Sequence, residues 1–509
     1  MMLTAMGRRV FGSLLIIPVL WYVGYFNWWW MTLLQQMLVT VTCLVTLAVM
    51  ASPKWPDPDM DPVSAIIMNK DKLLPPGSIT HLTLVFGFSD CPSLEQVKKH
   101  AKTLLDYERF CSVHVPNPKA VFESAWRRVD VEYESHFSEV SVSSVDELET
   151  KITHFALKPC FQTNKATGKE DKPRWRMDVV RNTNGRSAVV WRLCHSIGDG
   201  IGLLPVGYTM ARTMDGKEAK PRTFTRTKPA KTKTDGFGSI MKSVVKDLHT
   251  VLNLANGPFD NCTSININGS RPTLIHNGKR RRVDLEFKLS DIKAIRKVTG
   301  YTINDIVVAL FAGGMRRYME KMKDPILTDQ KDKTDNNKLK ITGLAPFAQP
   351  RPTKPGQVQN KMVFVHFAFP VNGESLKDRL EKAHNEFQHL KRSIQIPVLN
   401  FLTEVGTKLG LESLLAAENT KIWHRTSWIF SNVPGPAEKM MVFGKEMDSF
   451  KPFYCNVLHQ AIFFSYAGTM SLGLILDSES ITDPKLFVQM FDEELREAKK
   501  LALDENWCS

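Results

Sequence analysis

One histidine in this chain stands where a general base would be placed. Residues 191–200 read Trp-Arg-Leu-Cys-His-Ser-Ile-Gly-Asp-Gly, so His195 follows an apolar run and precedes Asp199 by four residues. The apolar run predicts a strand and the Asp-Gly pair a tight turn, and the end of a strand fixes a side chain while leaving its tip accessible. A neutral imidazole, whose pKa is ordinarily about 6.5, can take a proton from an attacking hydroxyl. By spacing alone, a core histidine beside a capped turn is the competing interpretation.

The neighbours of His195 each have two interpretations. Adjacent strand residues point to opposite faces, so Cys194 is expected to pack in the core, and a thiol nucleophile activated by His195 is the weaker alternative. Asp199 is either a second base or a structural anion that pairs with an arginine and, with Gly200, holds the turn. The sequence contains no Gly-x-Ser-x-Gly elbow and no metal-ligand spacing, so neither a serine-hydrolase triad nor a metal site is expected.

Charge and cysteine content restrict the class of protein. The 509 residues allow two or three domains, and the formal net charge of +14 favours a phosphate-rich substrate or an anionic membrane surface. No nucleic-acid-binding module is recognisable, so no nucleic-acid partner is expected. Eight scattered cysteines without a Cys-x-x-Cys pair are typical of free thiols in a reducing compartment.

The N-terminal residues 1–57 predict a membrane anchor. Residues 10–53 contain no Lys, Arg, Asp or Glu, and three consecutive tryptophans divide them into two apolar runs. Since a spanning helix needs about 20 apolar residues, the second run qualifies and the first is marginal. Positive residues at both flanks (Arg8, Arg9 and Lys54) favour a helical hairpin with both ends in the cytosol. A single span and a cleaved signal peptide are the alternatives.

The remaining chain predicts two α/β halves. Residues 58–215 form the first, residues 261–509 the second, and residues 216–260 hold a basic linker and an amphipathic helix at 240–254. That helix either lies on an anionic leaflet or packs on the protein, and the second interpretation is slightly favoured. In the second half, Asn304 is expected to cap the helix that it opens with Asp305. A rigid turn is expected at Asn432, Pro434 and Gly435.

These landmarks resemble, in order, the bifunctional wax ester synthase/diacylglycerol acyltransferase family of the CoA-dependent acyltransferase superfamily. The superfamily string His-His-x-x-x-Asp-Gly corresponds here to residues 194–200, with Cys194 in place of the first histidine. Residues 61–65, 172–175, 267–269, 302–309 and 431–436 match further family motifs, and Ser465-Tyr-Ala-Gly and Asp477 also fit. The resemblance covers about residues 58–500 and excludes the N-terminal segment.

The resemblance implies two chloramphenicol-acetyltransferase-like lobes with a central tunnel and His195 as general base near its middle. It also implies that Asn304, Asp305, Asn432, Pro434 and Gly435 shape the tunnel, and that Asp199 is structural. The implied reaction moves a fatty acyl group from acyl-CoA, a substrate rather than a cofactor, to a fatty alcohol or diacylglycerol at the bilayer. With the anchor, this predicts an endoplasmic-reticulum enzyme whose lobes are cytosolic. Acylation of another small alcohol and a non-catalytic lipid-binding protein are the alternatives.

Overall fold

A computed structural model describes most of the chain after residue 60. The described residues are 61–73, 80–116, 124–158, 160, 172–220, 247, 251, 254, 257–266, 279–328, 339–349, 357–408 and 411–503. The predicted anchor at residues 1–57 lies outside them, as do most of residues 216–260 and the motif at 267–269.

The first β-sheet has five strands in the order β14-β1-β6-β5-β4. Only β4 and β5 pair in parallel; the other neighbours are antiparallel. The strands are β1 (His81–Phe88), β4 (Phe137–Val142), β5 (Trp175–Asn182), β6 (Ser187–Cys194) and β14 (Ser449–Cys455). Every residue of β6 is buried, as expected for the continuous apolar run before His195.

The second β-sheet has six strands in the order β10-β9-β11-β15-β16-β8. Its central strand β11 pairs in parallel with β9 and β15, and the outer pairs are antiparallel. The strands are β8 (Arg280–Lys288), β9 (Thr342–Ala348), β10 (Met362–Ala368), β11 (Trp428–Pro434), β15 (His459–Tyr466) and β16 (Thr469–Asp477). Strands β15 and β16 follow one another in the chain and pair in antiparallel orientation. Smaller sheets join β2 (Ser112–Pro116) with β3 (Ser124–Arg128), and β7 (Ala211–Thr213) with β12 (Met440–Val442) and β13 (Lys445–Glu446).

Helices cover the sheets. They are α1 (Pro62–Leu73), α2 (Leu94–Ala101), α3 (Val145–Ala156), α4 (Gly200–Thr209), α5 (Leu289–Thr299), α6 (Ile303–Lys321), α7 (Pro325–Thr328), α8 (Leu376–Arg392), α9 (Gln395–Lys408), α10 (Glu412–His424) and α11 (Pro484–Leu503). Helix α3 packs on the first sheet, and α6 packs between α8 and α11 on the second-sheet side. Phe311 of α6 is fully buried against aromatic rings that include Trp428 and Phe463.

None of the described helices is by itself long and apolar enough to cross a bilayer. Helices α5 and α6 meet the length and composition requirement only as a pair, with a bend of 105° between them. The apolar residues of α6 lie almost entirely in the protein core.

The two halves of the sequence are interlaced in space. Strand β14 belongs to the second half by sequence, yet it forms an edge of the first sheet through its ladder with β1. Strands β12 and β13 likewise pair with β7 of the first half. The division into residues 58–215 and 261–509 therefore describes the chain but not the sheets, because the backbone N–H and C=O groups along one edge of β1 pair with a strand from the other half.

The close approach of the two sheets at Gly473 generates a stability prediction. A methyl group added there would collide with the carbonyl oxygen of Pro452 in β14. We expect Gly473→Ala to lower the free energy of unfolding by about 1–3 kcal/mol. Gly207→Ala is the control, because nothing lies within 4 Å of an added methyl group in α4 and alanine favours a helix by about 0.5–1 kcal/mol. Thermal unfolding of both variants checks this; equal stability would contradict the sheet contact.

Candidate active site

A cavity of about 470 Å³ lies between the two sheets and contains His195 in its wall. Apolar side chains from both sheets form most of the wall. They include Leu84 and Phe86 of β1, Trp191 of β6, Phe364 of β10, Ile429 of β11, and Ile462 and Phe464 of β15. The few polar residues of the wall include Asp199, Asn304, Asn432 and Gln460. Such a cavity suits an apolar ligand that meets one imidazole ring.

His195 follows the last residue of β6 and is only 6% exposed. Its ring lies 4.9 Å from the ring of Tyr454, measured between centroids. Its Nδ1 is buried and makes no hydrogen bond with the described part of the chain. Burial lowers the pKa of His195 below its ordinary value, and the negative charge of Asp199 partly offsets this. The imidazole is therefore neutral, and able to accept a proton, at neutral pH.

Asn360 holds the backbone of the histidine turn from the opposite half of the chain. Its side-chain amide is 1% exposed and donates to the carbonyl oxygens of His195 (2.7 Å) and Ser196 (3.1 Å). Gly198 completes the fit, because a side chain there would collide with Val358. The segment leading into β10 thus fixes the turn that carries the histidine.

An ion pair supports the same turn from the side of α1. Arg109 binds Asp61 at 2.7 Å and donates to the carbonyl oxygens of Ser196 and Ile197. Ser64 donates to the Ser196 carbonyl oxygen at 2.8 Å. We call Asp61, Ser64, Arg109 and Asn360 the turn network. Asp61 also accepts from the Asn360 backbone N–H, so the four residues form one connected set.

Asp199 acts on backbone groups. One carboxylate oxygen accepts from the Gly202 backbone N–H at 2.7 Å and caps α4, and the other accepts from the Lys361 backbone N–H at 2.8 Å. The arginine in the turn network, Arg109, forms its ion pair with Asp61. These contacts fit a structural anion that joins the first half of the chain to β10. Gly200 is the first residue of α4 and lies in the cavity wall.

Cys194 lies away from the cavity wall. It is buried, and its Sγ accepts a hydrogen bond from the Ser196 hydroxyl at 3.2 Å. Trp191 and His195 line the cavity, whereas Cys194 is not among its lining residues. This placement follows from the alternation of side chains along a strand.

Of the five candidate residues in the second half of the chain, the structure places two in the cavity wall. Asn304 and Asn432 line the cavity, whereas Asp305, Pro434 and Gly435 do not. Thr302, not Asn304, caps α6, and it forms a capping box with Asp305. The expectation of an Asn304 cap is therefore corrected, because the helix begins at Ile303. The Asp305 carboxylate also contacts His384 at 3.0 Å, which draws it away from the cavity.

Gly435 has a backbone role instead of a wall position. A side chain there would collide with the Ser465 carbonyl oxygen and the Phe464 ring. Its N–H donates to the Ser465 hydroxyl at 3.2 Å. The glycine allows the chain leaving β11 to lie against β15, whose Phe464 does line the cavity.

The sequence predicts no role for any of the four members of the turn network. Asp61 and Ser64 fall in a motif that the resemblance quotes, but no role could be attached to them. Arg109 and Asn360 lie in stretches without periodicity or motif, 86 residues before and 165 residues after the histidine. No local signal identifies them; only the tertiary fold brings them to the turn. No group of three or more His, Cys, Asp or Glu in the described part of the chain could hold a metal ion.

Family models and individual relatives of known function match this chain and point to the same family. Models of the wax ester synthase/diacylglycerol acyltransferase catalytic domain and of the WS/DGAT C-terminal domain match residues 169–307 and 358–499, together more than half of the chain. Wax ester synthase/diacylglycerol acyltransferase 2 of Arabidopsis thaliana is 24% identical over 434 residues, which cover 77% of this chain and 86% of the relative. The O-acyltransferase WSD of Acinetobacter baylyi is 22% identical, with 64% and 73% covered.

Solved structures share the fold. The wax ester synthase/diacylglycerol acyltransferase from Marinobacter aquaeolei VT8 superposes with a TM-score of 0.57 at 16% identity, covering 87% of this chain and 99% of that one. The first condensation domain of the calcium-dependent antibiotic synthetase gives a TM-score of 0.54 at 11% identity, with 87% and 95% covered. The mixed α/β fold is therefore that of these two groups of proteins.

The turn network predicts the effect of removing Asn360. Asn360→Ala removes the donor to the buried His195 carbonyl oxygen and one of three donors to the Ser196 carbonyl oxygen, so we expect a loss of about 1–3 kcal/mol in the free energy of unfolding. We also expect a lower turnover number in the folded variant, since the turn that carries His195 loosens. Asn184→Ala is the matched control: Asn184 is exposed and donates to one backbone carbonyl at the surface. Urea unfolding and turnover measured on both variants decide this, and identical behaviour would refute the role of Asn360.

Proposed function

Because the chain belongs to the wax ester synthase/diacylglycerol acyltransferase family, we propose that it transfers a fatty acyl group from acyl-CoA to a lipid alcohol. The acceptor is a long-chain alcohol, diacylglycerol, or both. The observation that carries this proposal is the position of His195, a buried and neutral imidazole in the wall of an apolar cavity. Acyl transfer to a hydroxyl needs one proton acceptor at that place.

In the proposed reaction His195 acts as general base. It removes the hydroxyl proton as the alcohol oxygen attacks the thioester carbonyl carbon. The new C–O bond forms, the C–S bond breaks, and the imidazolium returns the proton to the CoA thiolate. No covalent enzyme intermediate is required, and the position of Cys194 away from the cavity wall supports direct transfer.

The character of the cavity favours a lipid acceptor over a small soluble alcohol. Its wall is mostly aliphatic and aromatic from both sheets, and Phe86, Phe364 and Phe464 contribute to it. A short polar alcohol would leave this apolar surface unfilled and gain little from burial. Phosphates of CoA fit the strongly positive net charge of the chain, +14.

An acceptor assay tests the proposal. Membranes containing the protein are supplied with labelled acyl-CoA and hexadecanol, diacylglycerol or a short soluble alcohol. We expect labelled wax ester or triacylglycerol, and a loss of about 10²–10⁴-fold in rate for His195→Ala, the cost of removing a general base. Ester formation only with the short alcohol would favour a different acceptor class. If no ester forms with any acceptor although the protein is expressed and folded normally, the proposal is wrong and a non-catalytic lipid-binding function is favoured.

The charge of Asp199 predicts the pH dependence. Burial lowers the pKa of His195, so the active neutral form persists below the ordinary pKa of about 6.5 and the acid limb of kcat/KM lies under that pH. Asp199→Asn keeps an acceptor for the α4 cap but removes the charge that raises this pKa. The acid limb should then move to still lower pH. A pH–rate profile of both proteins checks this; a limb moving to higher pH in the variant would contradict the assignment.

We also propose that residues 10–53 hold the protein in the endoplasmic-reticulum membrane with the two-sheet unit in the cytosol. The length of the uncharged stretch, the tryptophan cluster and the positive flanks support this. Such an anchor would keep the enzyme where water-insoluble acceptors are dissolved.

Protease protection of intact microsomes tests the topology. We expect the protein to sediment with membranes, and added protease to digest the residues after 57. Asn261 and Asn268 should carry no glycan, because their sequons would then face the cytosol. Deletion of residues 1–53 should reduce activity on water-insoluble acceptors more than thermal stability. Glycosylated sequons or a protected two-sheet unit would show that the orientation is inverted.

A further inference from the structure

The helices α9 and α10 form a hairpin with an apolar outer face. Phe401 and Leu402 of α9 are 55% and 46% exposed, and Leu414 of α10 is 55% exposed. Leu411, at the turn between the helices, is 40% exposed. Half of the large hydrophobic side chains that are exposed in the described part of the chain lie on this hairpin, although it is a small share of the fold. Clustered exposure of this kind marks a surface that is covered in the working protein.

The two helices of the hairpin pack closely against each other. An added methyl group at Gly406 would approach the Leu415 side chain within 2.8 Å, so the two helices lie close together there. The Leu411 backbone N–H donates to the Gly406 carbonyl oxygen at 2.9 Å and closes the turn. Trp423 of α10 is buried and packs edge-on against Phe364, a residue of the cavity wall. The exposed leucines and phenylalanine are therefore held outward by a packed inner face.

The hairpin follows closely in the chain after two residues that line the cavity. Leu390 and Lys391, near the end of α8, line the cavity, and α9 begins four residues after Lys391. Lys391 and Arg392 are both exposed. Cationic side chains beside an apolar face favour an anionic phospholipid surface. Glu404 is the acidic side chain exposed on the outer side of α9, and it accepts a hydrogen bond from Asn400.

The connectivity of the chain indicates which surface covers the hairpin. Helix α1 packs against both α9 and α10. Only eight residues separate Pro53, the end of the uncharged stretch, from Pro62, the first residue of α1. An extended chain of that length spans at most about 28 Å. If residues 10–53 are inserted in a bilayer, this length limits how far from it the first residue of α1 can lie.

From these observations we propose that the outer face of the α9–α10 hairpin docks on the phospholipid surface that supplies the lipid acceptor. This inference rests on the proposed membrane function but adds a second contact, made by the two-sheet unit itself. Phe401, Leu402, Leu411 and Leu414 enter the apolar boundary of the leaflet while Lys391 and Arg392 meet its phosphates. The part of the cavity wall at Leu390 and Lys391 then lies close to the layer in which the acceptor is dissolved.

Photocrosslinking tests the docking surface in the full chain. The photoreactive residue p-benzoylphenylalanine replaces Phe401 or Leu414, and, as a matched control, Val145, which is 58% exposed on α3. The protein is reconstituted in vesicles of phosphatidylcholine and labelled phosphatidylserine, and attachment is first measured by flotation. We expect lipid adducts at positions 401 and 414 and only background at 145.

The outcomes separate the two proposals. Flotation without adducts at 401 and 414 refutes the docking surface and leaves the anchor standing. Loss of both flotation and adducts refutes both. A crosslinked dimer in place of lipid adducts would show that a second copy of the chain covers the hairpin, and equal adducts at all three positions would show nonspecific contact; either result overturns the proposal.

Rates of acyl transfer test the docking surface independently of crosslinking. The double substitution Phe401→Asp with Leu414→Asp should lower transfer to vesicle-dissolved acceptor by about tenfold or more, because two apolar side chains no longer enter the lipid. Transfer to a detergent-solubilised acceptor should stay at the wild-type rate. Val145→Asp with Met322→Asp changes two exposed apolar residues elsewhere, 58% and 39% exposed, and should leave both rates unchanged. Equal rates for the two double variants on vesicles would overturn the proposal.

Discussion

The side-chain amide of Asn360 joins the two halves of the chain at the turn that carries His195. It donates to two carbonyl oxygens of that turn, while its own backbone N–H donates to Asp61. Lys361 adds a backbone N–H to Asp199. These bonds are buried, so each is costly to leave unmade. The cavity, the orientation of the imidazole and the packing of the sheets all depend on this junction, because β10 begins directly after it.

The exchange of strands between the two halves of the chain also brings residues of the second half to His195. With β14 completing the first sheet, Tyr454 reaches the ring of His195 from the second half of the sequence. The cavity wall therefore combines residues that lie more than 250 positions apart in the chain. A ligand in that cavity touches both sheets, and its binding would stabilise their association as any native-state ligand does. In the proposed reaction the apolar wall selects the acceptor, and His195, the one histidine among the described lining residues, takes the proton.

The sequence predicted the local parts of this arrangement and missed the nonlocal ones. The apolar run predicts the strand that ends at Cys194, and the alternation of side chains along it predicts that Cys194 packs in the core, away from the cavity. The sequence predicts a helix opened by residues 302–305 but places its cap at Asn304, because Thr302 and Asn304 both have capping side chains and only the backbone decides between them. The place of β14 in the first sheet and the role of Asn360 depend on contacts between distant segments, which no local pattern encodes.

The central claim is that His195 accepts a proton in a site that the turn network holds in place. Chemical rescue tests it most directly: imidazole is added to purified His195→Ala, and acyl transfer from acyl-CoA to the lipid acceptor is followed. We expect negligible transfer without imidazole. The transfer rate should rise with imidazole concentration and follow the fraction of neutral imidazole as pH changes. Asn360→Ala, which keeps its histidine, should not respond. Wild-type turnover by His195→Ala before any imidazole is added would contradict the role of His195 as general base.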